Sequence, residues 1–222
     1  LTPLSARLRS ETGAAHAAAE SSLVVRQIMA GTIERFEYCR MMVNLHAIYQ
    51  KLEQQLEAHK SNASIQHVAD ARLARAAAID RDLTHLIGER WNQIVALEAA
   101  TSSYLKRLEL IGANQPERLV AHSYVRYMGD LSGGQIISRA VRPVLGADAD
   151  QALHFYHFGS KAQVAEMKAR FRDGLDRIES EAEANAIVEE ALLAFGAAQN
   201  LFEQLALKVN LPPVTTEENA AR

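Results

Sequence analysis

Three glycines fall within six residues, at Gly129, Gly133 and Gly134, in a chain that holds only 11 in 222. Asp130, Ser132 and Gln135 stand among them. Each glycine inside a helix costs about 0.5–1 kcal/mol relative to alanine. Three together forfeit roughly 2–3 kcal/mol, a large share of a typical net stability. Gly129 and Gly133 are four apart and share one helical face. A face without side chains lets a flat partner approach the backbone and eases bending, and the polar neighbours can organise water or protons there. A loop between helices, or close helix–helix packing, explains the same cluster. The order GxxxxGK[ST] is absent, so this is not a phosphate loop.

His16 sits among alanines in Gly13-Ala14-Ala15-His16-Ala17-Ala18-Ala19-Glu20. Glu20, one helical turn on, can accept a hydrogen bond from one ring nitrogen and leave the other for a metal. An exposed histidine with an acidic neighbour is the competing reading. His154 and His157 have a spacing that suits zinc, but no third or fourth ligand follows at recognisable spacing. They read as packing or surface residues. Lys168 and Arg172 share a face and suit carboxylates, or form a solvated basic face. No nucleophile–base pair or Cys–His dyad is recognisable from spacing.

Helices must position these groups. Thr2-Pro3 opens a first helix to about Glu20, and a short segment over Leu23–Ala30 stops at Gly31. Thr32 caps a long helix to about Lys60, where Phe36, Met42, Leu45, Ile48, Tyr49, Leu52 and Leu56 form an apolar stripe. Residues 61–64 read as a loop, followed by helical segments over Ile65–Ile87 that stop at Gly88. Further helices are expected over Trp91–Ile111, from Pro116 to about Arg142, over Asp148–Ser180 with an interruption at Gly159, and over Glu181–Val209. The spacing predicts no repeat, composition break or strand alternation. One all-α domain over residues 1–210 is expected, with a disordered tail over 211–222.

Composition agrees. Hydrophobic residues make up 48% of the chain and 38 residues are alanine, enough for a sizeable core and strongly helix-permissive. The net charge of −3 gives no overall case for nucleic acid or membrane binding. A single cysteine, Cys39, excludes an internal disulfide framework and fits a reducing compartment. No apolar run approaches a membrane span and no signal peptide is visible. The expected location is the cytoplasm.

Taken together, these segments resemble the haem oxygenases. The distal-helix motif of that family reads almost unchanged as Ala121-His122-Ser123-Tyr124-Val125-Arg126-Tyr127-Met128-Gly129-Asp130-Leu131-Ser132-Gly133-Gly134-Gln135. Thr12, His16 and Glu20 match the proximal motif. Phe155-Tyr156-His157-Phe158, Lys168 with Arg172, and Asn200-Leu201-Phe202-Glu203-Gln204-Leu205 follow in family order. The matches span about residues 4–207. The glycine motif is highly specific; the proximal one gains its strength from the order.

The resemblance implies a single-domain helical fold with haem b between a proximal and a bent distal helix. Haem is then both substrate and cofactor. His16 ligates the iron, with Glu20 orienting it. Gly129 and Gly133 let the distal backbone cover the haem. Arg9, Lys168 and Arg172 bind the propionates, Tyr124 assists, and Asp130 anchors water beside bound oxygen. The implied reaction cleaves a meso carbon, expected to be alpha, using molecular oxygen and electrons from an external reductase or ferredoxin. It yields biliverdin, carbon monoxide and ferrous iron. A monomer is implied. The alternative is a haem carrier or sensor that keeps His16 without cleaving the ring. Two departures bear on the outer distal network: His46 where some relatives have a phenol, and Ala198 where some have asparagine.

Overall fold

In this computed structural model every regular element among the described residues, 2–207, is helical. The α-helices are α1 (Leu4–Glu11), α2 (Gly13–Glu20), α3 (Leu23–Met29), α4 (Arg35–Ala58), α5 (Ala63–Val68) and α6 (Ala76–Ile87). They continue with α7 (Trp91–Ile94), α8 (Ala99–Asn114), α9 (Leu119–Ser123), α10 (Gly129–Leu145), α11 (Lys161–Leu175) and α12 (Glu181–Ala206). The all-α expectation holds. None of the described helices is long and apolar enough to cross a membrane. The expected tail over 211–222 lies outside the described residues.

The expected first helix is two. α1 and α2 meet at Thr12, whose backbone sits at φ −103°, ψ 0°. Its Oγ1 donates to the Leu8 carbonyl at 2.6 Å, the back-bonding that bends helices. The joint turns His16 away from the line of α1. Gly31 and Gly88 stop their helices as expected, at φ +66° and +89°, which glycine adopts without steric cost. α4 begins at Arg35 rather than after Thr32, because Glu34 is still extended. The expected helix over Trp91–Ile111 is also two. Val95 is extended after α7, and α8 begins at Ala99 and runs past Gly112 to Asn114. Residues 146–156 hold short 3-10 turns in place of an early start to α11.

α4 is the central strut. Tyr38, Met42, Ile48, Tyr49 and Leu52 are all buried on it, and α6 and α8 pack along it. α12 runs across α2, α3 and α9. From Pro116 the distal segment is one continuous helical rod of changing pitch. A 3-10 turn over Pro116–Arg118 leads into α9, then a π-helical stretch over Tyr124–Met128, then α10. A π turn inserts one residue per bond ring and is characteristic of functional sites. α10 does not stop before Pro143: proline in the last turns forfeits few bonds, and the helix ends at Leu145 before Gly146 at φ +58°.

One buried ionic cluster ties the distal rod to α12. Glu190 is fully buried. It accepts from Arg107 Nε at 2.9 Å, pairs with His122 Nε2 at 3.0 Å, and lies 3.4 Å from an Arg118 nitrogen. His122 Nδ1 faces the Tyr104 hydroxyl at 2.9 Å. Burial pushes the Glu190 carboxyl up, but the bonds from His122 and Arg107 outweigh it and hold the group down at about 2. A depressed carboxyl contributes stability above its unfolded value and loses it as pH falls towards its folded value. Denaturant unfolding should therefore lose roughly 3 kcal/mol between about pH 4.5 and pH 2 through this residue. In Glu190→Gln that portion of the acid slope should be absent. The variant should also start lower by roughly 3–5 kcal/mol at pH 7, because Arg107 and Arg118 lose their counter-charge. An unchanged acid slope would show that another group governs acid unfolding.

Candidate active site

α2 and the distal rod face each other across a cleft of about 290 Å³. Ser5, Arg9, Thr12, Gly13 and His16 line one side, and Tyr124, Val125, Met128, Gly129 and Ser132 the other, with Arg172 and Phe195 at the margins. α2 reaches the cleft through Gly13 and His16, and every residue between Gly13 and Glu20 other than His16 is alanine. α12 fixes α2 in place: Gln199 Nε2 donates to the Ala15 carbonyl at 3.0 Å. The Phe195 ring meets the His16 ring edge-on, with centroids 5.7 Å apart. The His16 side chain is 49% exposed, and its Nε2 lies 3.5 Å from a Glu20 carboxylate oxygen. That is an electrostatic pairing longer than a hydrogen bond, so the imidazole is only loosely held by protein.

The glycine face has a clear geometry. A Cβ built on Gly129 or Gly133 would meet nothing within 4 Å, whereas one on Gly134 would touch the Tyr156 ring at 3.5 Å. Gly134 alone of the three has a protein neighbour, the Tyr156 ring at ordinary contact distance. Gly129 and Gly133 lower the helix propensity of α10 with no protein neighbour to require it. Gly13, across the cleft, is equally bare. Neither loop formation nor protein packing explains these three positions.

Behind the glycines, the Asp130 carboxylate turns inward. Tyr49, on α4, donates a hydrogen bond to its Oδ2. Burial pushes the Asp130 carboxyl up to about 7, and the Tyr49 hydrogen bond and the Arg126 and Arg75 guanidiniums only partly offset it. At neutral pH this group stands poised between its two protonation states, as proton-handling carboxylates do. Arg126 Nε is buried without a hydrogen-bond partner among the described residues. Such an orphan donor costs about 1–3 kcal/mol unless water or a ligand group meets it.

The expected basic groups gather at the cleft margin. Burial raises the Tyr124 hydroxyl, while the Thr12 hydroxyl and the Arg172 and Arg9 guanidiniums pull it down, so both arginines lie close to the Tyr124 phenol. Arg9, Lys168 and Arg172 form no ion pair among the described residues. Lys168 is half-buried one turn before Arg172 on α11 but does not line the cleft. Glu20 is exposed at the end of α2, beside the cleft. Gly133 is half-buried, one turn along the same face from Gly129. His154 is engaged elsewhere, 2.7 Å from Asp82, and His157 is exposed.

Tyr49 and Arg126 complete the site, and the sequence reading assigned neither a role. Tyr49 belonged to the apolar stripe of α4; its hydroxyl was the signal, since a buried phenol needs a partner. His46 is buried against Trp91, with ring centroids 4.7 Å apart. The phenol that meets Asp130 comes instead from Tyr49, one turn later. Ala198 is buried on α12.

The sequence model of the Heme oxygenase family matches residues 2–204. The chain belongs to the haem oxygenase family. It is 32% identical to heme oxygenase 1 of a Nostoc species over 203 residues, covering 91% of this chain and 85% of that one. It is similar in fold to heme oxygenase-2 of a Synechocystis species, solved in complex with heme and NO. The TM-score is 0.88 at 33% identity, with 92% of this chain and 85% of that one covered. The heme oxygenase of Leptospira interrogans superposes with a TM-score of 0.86 at 33% identity, over 91% of this chain and 100% of that one. Membership of the haem oxygenase family places this chain among the oxygen-dependent, haem-degrading oxidoreductases. The residues fit haem: a flat bare face on one helix, a loosely held imidazole opposite, and unpaired cations at the margin.

Proposed function

We propose that this haem oxygenase opens haem b at the alpha-meso carbon, as a monomer. The reaction releases biliverdin, carbon monoxide and ferrous iron, with electrons from an external reductase or ferredoxin. The observation that carries the reading is the empty space over the Gly129 α-carbon, on the cleft that His16 enters, with Gly133 equally bare one turn along the same helical face. Bound haem supplies the iron that activates oxygen and the ring that is opened.

The protein's part is positioning and proton control. One His16 nitrogen would hold the iron, and Glu20, drawn in from its present 3.5 Å, would accept from the other, fixing the ring and raising its basicity. Arg9, Lys168 and Arg172 would hold the two propionates by charge and hydrogen bonds, with the Tyr124 phenol near both arginines. Gly129 and Gly133 let α10 cover the open haem face and exclude bulk water. Asp130 keeps or releases a proton at its carboxyl, with Tyr49 fixing Oδ2. Its inward position favours delivery through water over direct donation. Arg126 keeps a positive field behind Asp130.

The test is turnover of haem-loaded protein with oxygen and ascorbate or a reductase, with the bilin identified by chromatography. The expected product is alpha-biliverdin, with carbon monoxide released in equal amount. Persistent haem bands without any bilin would indicate a carrier or sensor. Mostly beta or delta biliverdin would reject the proposed seating by Arg9, Lys168 and Arg172.

A further inference from the structure

His46, set aside by the site, lines a separate groove of about 690 Å³ between α4, α6 and α7. That size is ordinary for a small-molecule pocket. None of the residues lining it lines the haem cleft. Ala47, Ala77 and Val95 make apolar walls, and Trp91 stands at one end with its ring edge against His46. Gln50 and Asn92 add polar lining, and two further polar groups stand beside them. His46 is only 9% exposed, and neither ring nitrogen has a hydrogen-bond partner among the described residues. Burial lowers its proton affinity, so near neutral pH the ring is uncharged and offers one donor and one acceptor. Neither nitrogen is a buried orphan, so solvent meets them until a ligand displaces it.

Asp80 is the second group. Its Oδ1 accepts from Trp91 Nε1 at 3.2 Å, which fixes the carboxylate at the groove. Its Oδ2 has no partner among the described residues. Asp80 is exposed and is the single charged residue lining this groove; it also borders the neighbouring depression, which Arg81 lines. A groove of mixed polar and apolar lining, with one negative charge and one unpaired imidazole, disfavours anions.

We propose that this groove is a second ligand site, which takes a small organic cation with an apolar body. The ammonium or amidinium group lies on Asp80 Oδ2, the body lies along Ala47, Ala77 and Val95, and a ligand polar atom meets His46. Trp91 is the only tryptophan in the chain, so its fluorescence reports on this groove independently of haem or turnover.

The experiment titrates the apoprotein with 2-phenylethylammonium and follows Trp91 emission. Two probes of matched shape serve as comparisons: uncharged 2-phenylethanol and anionic 3-phenylpropionate. A saturable shift is expected with the cation, at concentrations roughly tenfold below those needed for either comparison probe. Asp80→Asn keeps an acceptor for Trp91 Nε1 and removes only the charge; it should weaken the cation roughly tenfold. Ala77→Leu, at an exposed position, should remove binding by filling the trough. Unchanged haem titration in both variants shows that the fold is intact. The proposal is overturned by an unsaturable response to the cation, by comparison probes that bind as tightly, or by undiminished affinity in Asp80→Asn.

Discussion

Leucine at position 133 should weaken haem binding by roughly ten- to a hundredfold while leaving the apoprotein more stable. The two effects have separate origins. In the apoprotein, a Cβ at Gly133 meets nothing within 4 Å, so Gly133→Leu is expected to recover helix propensity of about 0.5–1 kcal/mol. With haem seated along the Gly129 and Gly133 face as proposed, the same side chain would crowd the ring. Overpacking of that kind costs about 1–3 kcal/mol, which the affinity should register in full. Gly134→Leu is the contrasting variant, because Tyr156 already stands 3.5 Å from where its Cβ would be. It should destabilise the apoprotein instead. Thermal unfolding of the apoproteins, paired with haem titration, measures both effects. If Gly133→Leu bound haem normally, the open space would not be the haem site.

Asp130→Ala should bind haem as the unaltered protein does and form biliverdin slower by roughly 10²-fold or more, the usual contribution of a positioned proton donor. The substitution removes no group that lines the cleft, so affinity is expected to hold while turnover falls. A second readout separates proton handling from mere structure. A buried carboxyl raised to about 7 stays protonated in the folded chain where the unfolded chain has already ionised. The native state then binds more protons, and stability falls as pH rises from about 4 through about 7, by an amount of order a few kcal/mol. Asp130→Asn cannot ionise. Its unfolding free energy should lack that decline and exceed that of the unaltered protein at pH 8. Equal biliverdin rates in Asp130→Ala, or an identical pH slope in Asp130→Asn, would count against the assignment.

Local signals carried much of the fold. The punctuating glycines at 31 and 88 ended their helices, and the apolar stripe of α4 became the core strut. The break at Thr12 was not legible, because it arises from a threonine side chain bonded back to Leu8 in an otherwise helical alanine-rich run. The π turn over Tyr124–Met128 was equally silent, since the motif reads as regular helix. At the site, His16, Glu20 and the glycines were visible through spacing and family likeness. What separated the open glycines from the packed one was contact with Tyr156, which only the folded chain supplies. Tyr49 was hidden by its own hydrophobicity: a phenol on an apolar stripe looks like core until the chain brings Asp130 to it.

The claim at the centre is that haem enters the cleft between α2 and α10 with its iron on His16. The most direct measurement is an absorption titration of haem into the unaltered protein and into His16→Ala, each with and without added imidazole. The unaltered protein should saturate at one haem per chain with a histidine-ligated spectrum. His16→Ala should lose that spectrum, and imidazole, entering the space left among the alanines of α2, should restore it. The same spectrum and affinity in both proteins without imidazole would contradict the account.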